Sequence, residues 1–255
     1  MAFSRFYYPH QINVGQLIEL PVRSARHAVN VLRLGKGEKI ILFNGQGGEF
    51  LSFIKEINKV SIFVLIEAFM DVERESPLQI TLVQSICINI KMDLIIRKAV
   101  ELGVNSIQPI VTKRCLVKLS EKRELKRLFR WQQIVISACE QCGRNFVPQV
   151  LPPVTISDWL LSQGTMRKEL SNEVTGKLYF ILSPIARMRL SDFSKKLSVT
   201  ELTVLVGPEG GFTSEEYNAV ISTGFSSLRL GDRILRTESV ALAALSSLQA
   251  VWGDY

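Results

Sequence analysis

The sequence predicts an α/β fold: a parallel sheet flanked by helices, preceded by a small domain of β-strands. Three observations carry this. From Leu78 onward, short apolar runs alternate with segments of helical spacing, as in a parallel sheet with crossover helices. Residues 1–70 read as short β segments separated by turns. Between them, Asp71–Pro77 is polar, acidic and ends on proline, as a linker does. The expected domains are therefore residues 1–72 and 73–255.

The elements follow in order. Strands are expected over Leu17–Leu20, Lys39–Phe43, Glu49–Ile57 and Ser61–Phe69, with a hairpin-like turn at Gly45–Gly48. The basic segment Arg23–Leu34 interrupts them with helical spacing, and His27 reads there as a partly buried helix histidine. After the linker, a strand lies within Leu78–Ile90. Met92, Ile95, Ile96, Ala99 and Leu102 then share one helix face, and Gly103 stops that helix. Ile107–Val111 is a strand. Glu121–Gln141 is a long helix whose first half is basic, through Arg123, Lys126, Arg127 and Arg130, and whose second half is apolar. An extended stretch begins at Pro148. A short helix over Ser157–Leu161, a polar loop around Lys168–Gly176 and a strand over Leu178–Ser183 complete the middle of the chain.

The stretch around which the rest is organised is 201–245. Leu202–Val206 is an apolar strand that stops at Gly207-Pro208-Glu209-Gly210-Gly211. Three glycines in five residues call for unusual φ/ψ or a close approach. Thr213 and Glu216 form a capping box at the next helix start. Ser227–Leu230 is a second strand, ending in the loop Gly231–Arg236. Thr237 is the expected N-cap of the last helix. On that helix Ala241, Leu242, Leu245, Leu248 and Trp252 form an apolar stripe suited to a core or a dimer interface. Two loops thus lie at the carboxyl ends of neighbouring strands, where open α/β sheets bind ligands. Neither a G-x-G-x-x-G nor a G-x-x-x-x-G-K-[ST] follows a strand, which excludes the Rossmann and P-loop nucleotide sites.

Composition narrows the function. The chain has 255 residues, 47% hydrophobic, and a net charge of +7 from 31 basic and 24 acidic residues. That surplus suits a polyanionic partner or plain solubility. No run approaches the length of a membrane span, and the first residues hold no apolar signal core, so a cytoplasmic protein with no membrane partner is expected. Four cysteines do not form a secreted disulfide framework. Cys139 and Cys142 sit in a helical stretch with no second pair, and the only histidines are His10 and His27. Helix packing is the better reading, and no metal is expected.

Val206-Gly207-Pro208-Glu209-Gly210-Gly211-Phe212 and Leu230-Gly231-Asp232-Arg233-Ile234-Leu235-Arg236-Thr237-Glu238-Ser239-Val240-Ala241 resemble the two C-terminal motifs of the SPOUT methyltransferases, and more closely the RsmE branch. The resemblance extends over nearly the whole chain. Arg26-His27 through Val31-Leu32-Arg33-Leu34 is similar to the family's N-terminal signature, Lys91–Val104 to its helix motif, and Glu140-Gln141-Cys142-Gly143-Arg144 to a third. Lys98 and Glu101 match charged positions of the helix motif and would equally serve as a surface ion pair. Thr112 and Arg114 are retained, whereas Lys113 reverses the usual charge.

The resemblance implies a PUA-like β-barrel followed by a trefoil-knotted α/β domain. It implies a homodimer that binds S-adenosylmethionine (AdoMet) and methylates N3 of a uridine in 16S ribosomal RNA of the small subunit. The cofactor would be held largely by loop backbone at Leu205, Val206, Gly207, Gly211, Leu230, Ile234, Leu235, Arg236 and Ala241. Arg236 would stabilise the uracil anion, and Glu209 is the candidate base. Arg5, Arg23, Arg26, Arg33, Arg114 and Arg144 are candidate RNA contacts. Competing readings are a SPOUT enzyme acting on another RNA and a non-catalytic RNA-binding or ribosome-assembly factor. The absence of a P-loop and of a carboxylate–metal cluster speaks against a hydrolase or kinase.

Overall fold

The computed structural model describes residues 3–58, 61–116, 121–163, 176–193 and 198–255. The polar loop expected around Lys168–Gly176 falls almost entirely outside them. The chain divides into two compact units, Met1–Glu75 with Ile136–Val147, and Ser76–Val135 with Pro148–Tyr255.

The first unit holds β1 (Ser4–Tyr7), β2 (Leu17–Glu19), α1 (Val22–Arg26), β3 (Lys39–Phe43), β4 (Glu49–Ile57) and β5 (Ile62–Met70). Its five strands run in the order β1-β3-β4-β5-β2, with β1 parallel to β3 and the other pairs antiparallel. Alternation does the sorting: Ile62, Val64 and Ile66 of β5 point into one core with Phe6, Ile18, Ile40, Leu42 and Ile54. At the β4 turn Gly48 has φ +63°, and a Cβ there would lie 2.4 Å from the Phe69 ring, so only glycine fits. The strand β1 is too short to read from the sequence; its register against β3, Ser4 opposite Ile40, makes it one. The helical spacing of Arg23–Leu34 resolves into α1 and a π-helical turn, His27–Val31, followed by Arg33 at φ 55°. His27 is exposed there rather than partly buried, edge-on to Phe6 with ring centroids 6.0 Å apart.

The segment Ile136–Val147 was assigned by sequence to the later domain, yet it clusters with the β unit. Polar contacts hold it. The Arg144 side chain donates to Glu75, with Nε 2.9 Å from each carboxylate oxygen. Asn145 donates to the Val72 carbonyl at 2.7 Å and accepts from Arg5 at 2.6 Å. Arg5 also pairs with Glu49, which takes Arg74 at 2.9 Å as well. Burial pushes the Glu49 carboxyl up, but hydrogen bonds from Arg74 and Arg5 outweigh it and hold it below the usual range. Arg5 and Arg144, both expected at RNA, are engaged in this network. Their side chains are only 10% and 5% exposed.

The second unit holds β6 (Gln79–Ser85), α2 (Asn89–Glu101), β7 (Ser106–Val111), most of α3 (Glu121–Cys142), β8 (Gln149–Val150), β9 (Val154–Thr155), α4 (Ile156–Ser162), β10 (Lys177–Leu182), β11 (Met188–Arg189), β12 (Glu201–Val206), α5 (Ser214–Ser222), β13 (Ser226–Arg229) and α6 (Thr237–Trp252). Every strand pair is parallel, in the order β11-β13-β10-β12-β6-β7-β8, with β9 beside β7. The central strands are near-continuous apolar runs because both faces are covered; Val204, Leu205 and Val206 of β12 are all buried. In α3, Cys139 is buried, and desolvation pushes its thiol up to about 12, which suits packing rather than metal ligation. Along α6, Ala241, Leu245 and Leu248 are fully buried while Leu242 and Trp252 are half-buried.

Candidate active site

The sheet order places the ends of β6, β12, β10 and β13 side by side, so their loops converge. The loop after β12 is fixed from both ends. Thr237, expected as the N-cap of α6, is instead its first residue; Arg236 holds the capping position with extended backbone. Thr237 is buried because its hydroxyl donates to the Gly207 carbonyl at 2.7 Å, which ties the glycine loop to the start of α6. At the other end, the capping box at Thr213 forms as expected, and its Glu216 does more than cap. One Glu216 oxygen accepts from Thr213 N at 2.9 Å and the other from Lys113 N at 2.7 Å, lacing the glycine loop to the loop after β7. Arg114, expected at RNA, donates to the carbonyls of Gly210 at 3.0 Å and Phe212 at 3.3 Å and so braces the same loop. Thr112 is buried, its hydroxyl 2.8 Å from that of Ser85.

Glu216→Ala leaves two backbone N–H groups without an acceptor. It is expected to cost about 2–3 kcal/mol of stability. Chemical denaturation of the variant beside Glu216→Gln, which keeps one acceptor, checks this, with Gln expected between Ala and the wild type.

Glu209 sits at the crown of the loop. Its carboxylate lies 3.2 Å from the Lys91 ammonium, which comes from the start of α2 and stands 3.6 Å from Glu238 in the first turn of α6. The hydrogen bond from Lys91 to Glu209 is the main cause of the raised Lys91 pKa, so the ammonium stays charged throughout the neutral range. One cation thus draws together a carboxylate of the glycine loop and one of the first turn of α6. One oxygen of Glu238 is buried without a hydrogen-bond partner. Beneath this cluster, burial and then the Glu209 charge push the Cys87 thiol up to about 12, so Cys87 is no nucleophile at neutral pH.

A pocket opens where the chain leaving β10 meets the chain leaving β13, lined by Leu182, Ser183, Pro184, Leu228, Arg229, Leu230, Gly231, Arg233, Ile234, Leu235 and Val240. Of the nine sequence-predicted cofactor residues, Leu230, Ile234 and Leu235 line it. Leu205, Val206 and Ala241 are buried outside its lining, Gly207 and Gly211 belong to the glycine loop, and Arg236 is exposed. Gly211 and Gly231 have φ +67° and +119°, and a Cβ on either would meet no atom within 4 Å. At both positions the backbone itself borders open space, which suits a ligand held by main-chain groups, with apolar walls for an adenine ring. Arg23, Arg26 and Arg33 are exposed on the β unit. Lys98 and Glu101 form a helix-surface ion pair at 2.7 Å.

The sequence reading missed Lys91 as a bridge, Glu216 as a lace between loops, and Ser183, Pro184 and Val240 as pocket walls. A lysine opening an apolar helix and a proline just past a strand were the available signals.

Comparison with known proteins agrees with this geometry. The RNA methyltransferase domain family matches residues 74–249, and the RNA methyltransferase PUA domain matches residues 20–67. The ribosomal RNA small subunit methyltransferase E of Buchnera aphidicola subsp. Schizaphis graminum is 36% identical over 98% of this chain and 97% of its own. The chain belongs to the ribosomal RNA small subunit methyltransferase E family. Two solved structures share the fold of this family over their full lengths and that of this chain. A Legionella pneumophila methyltransferase with bound SAM is 37% identical with a TM-score of 0.91. The Neisseria gonorrhoeae family member bound to S-adenosyl methionine is 40% identical with a TM-score of 0.85. Among the described residues no group of three His, Cys, Asp or Glu could hold a metal, and no helix is long and apolar enough to cross a membrane.

Proposed function

We propose that the protein transfers a methyl group from AdoMet to N3 of a uridine in 16S ribosomal RNA of the small subunit, as a homodimer with a trefoil-knotted α/β domain. The observation that supports this reading is that the second motif loop lines an apolar pocket while Thr237 and Lys91 tie that motif to the glycine loop, through the Gly207 carbonyl and through Glu209 and Glu238.

AdoMet supplies an already activated methyl group, so the chain's task is to hold donor and acceptor in line. Leu230, Ile234 and Leu235 pack against the donor, and the backbone at Gly211 and Gly231 admits close approach. Uracil N3 becomes a nucleophile only when its proton leaves. The Arg236 guanidinium stabilises the negative charge that then spreads to the ring oxygens. Glu209 receives the N3 proton on its carboxylate, with Lys91 fixing that carboxylate in place. N3 lies on the Watson–Crick edge, so the uridine is presented unpaired or flipped out. Arg23, Arg26 and Arg33 supply phosphate contacts from the β unit.

Thermal unfolding with and without AdoMet tests the donor half. At a concentration 100 times the Kd, about 2.7 kcal/mol of stabilisation and a clear rise in Tm are expected. No rise at millimolar AdoMet would contradict the reading and favour a non-catalytic RNA-binding protein.

A further inference from the structure

Two loops at the pocket mouth carry a concentration of arginine of which the methyl-transfer chemistry uses only Arg236. Residues 183–189 and 229–236 hold Arg187, Arg189, Arg229, Arg233 and Arg236 against a single acid, Asp232. The loops are joined to one another. Strand β11 runs parallel to β13 with Arg189 opposite Arg229, and both guanidiniums share Asp232, at 2.9 Å and 3.3 Å. Asp232 therefore aligns two arginines and neutralises only one charge. Among the described residues Arg187, Arg233 and Arg236 make no ion pair, and all three are exposed. Large aliphatic side chains interleave with them: Ile185 is 80% exposed, Ile234 87% and Met188 39%. Single exposed apolar residues are ordinary, but here they alternate with unpaired arginines around a pocket.

A second copy of this chain is a poor occupant, because a two-fold contact would bring the arginine cluster against itself. Single-stranded RNA fits both features. Its phosphates match the guanidiniums, and its base faces stack on arginine planes and aliphatic side chains. We propose that this rim, with Arg187 and Arg233 as its phosphate contacts and Asp232 holding Arg189 in line, binds the unpaired RNA strand flanking the target nucleotide. The proposal rests on the reading of the pocket as the methyl-transfer site.

The test measures retention of 16S ribosomal RNA on filters across a series of KCl concentrations, together with AdoMet affinity by calorimetry, for Arg187→Ala, Arg187→Lys, Arg187→Glu and the pair Arg187→Ala/Arg233→Ala. Each alanine is expected to weaken RNA binding several-fold and to reduce the slope of log affinity against log salt by about 0.7, the value for a single-stranded phosphate contact. Arg187→Lys should keep the slope, and Arg187→Glu should weaken binding further. Arg187→Ala, an exposed substitution outside the pocket, should leave AdoMet affinity and Tm as in the wild type. RNA affinity and salt slope unchanged in the double variant would overturn the proposal. So would a fall in oligomer mass in Arg187→Glu with RNA binding intact, which would make the rim an interface between copies. Because RNA binding is read without catalysis, rim-dependent binding in a protein that transfers no methyl would uphold the rim and sink the methyl-transfer reading.

Discussion

Arg236→Ala is expected to lower methyl transfer by about 10²–10³-fold, the usual cost of removing one preorganised donor from a developing anion, while AdoMet affinity changes by less than about threefold, under 1 kcal/mol. The placement of Arg236 is the reason. It occupies the capping position of α6 with extended backbone, so its own main chain is fixed by the helix start and by the bond from Thr237 to Gly207. Its side chain is exposed and, among the described residues, unpaired. It does not line the apolar pocket, so its loss should spare the donor. Arg236→Lys keeps the charge but loses the planar fork, and is expected to recover only part of the rate. Single-turnover transfer measured beside calorimetric AdoMet titration separates the two effects. Equal losses in both would remove Arg236 from the chemistry and make it a cofactor-binding residue.

Arg144→Met is expected to cost about 3–5 kcal/mol, because it strands the Glu75 carboxylate in a site where that side chain is only 13% exposed. At roughly 2–4 °C per kcal/mol for a chain of this size, Tm should fall by about 10 °C. Pairing it with Glu75→Gln removes the stranded charge and should restore part of the loss. A phosphate contact would behave in the opposite way: Arg144→Met would leave Tm unchanged and weaken RNA binding with a smaller salt slope. Circular dichroism melts of the two variants decide between these outcomes.

The fold was legible because each unit obeys one period. Alternation in β5 and unbroken apolar runs in β12 mark two kinds of sheet, and the change between them falls at the acidic linker. The glycine loop and its capping box were legible because their chemistry is local: Thr213 and Glu216 are three residues apart. What was lost depends on contacts distant in sequence. Arg144 read as a surface charge near a helix end, and nothing within ten residues announces Glu75 as its partner, 69 positions earlier. The same holds for Lys91, whose partners Glu209 and Glu238 lie on other elements. Thr237 looked like an N-cap because threonine often is one; its hydroxyl was taken instead by Gly207, 30 residues away. Long-range charge pairing, rather than local propensity, separated the sequence reading of the site from its geometry.

The central claim is tested most directly by incubating the protein with methyl-labelled AdoMet and small ribosomal subunits that lack the modification, then digesting the RNA and identifying the labelled nucleoside. Label is expected in N3-methyluridine at one position of 16S ribosomal RNA, with transfer about 10²–10³-fold slower in Arg236→Ala. Label in a ribose 2′-O-methyl group or in another RNA, or no label despite saturating AdoMet, would contradict it.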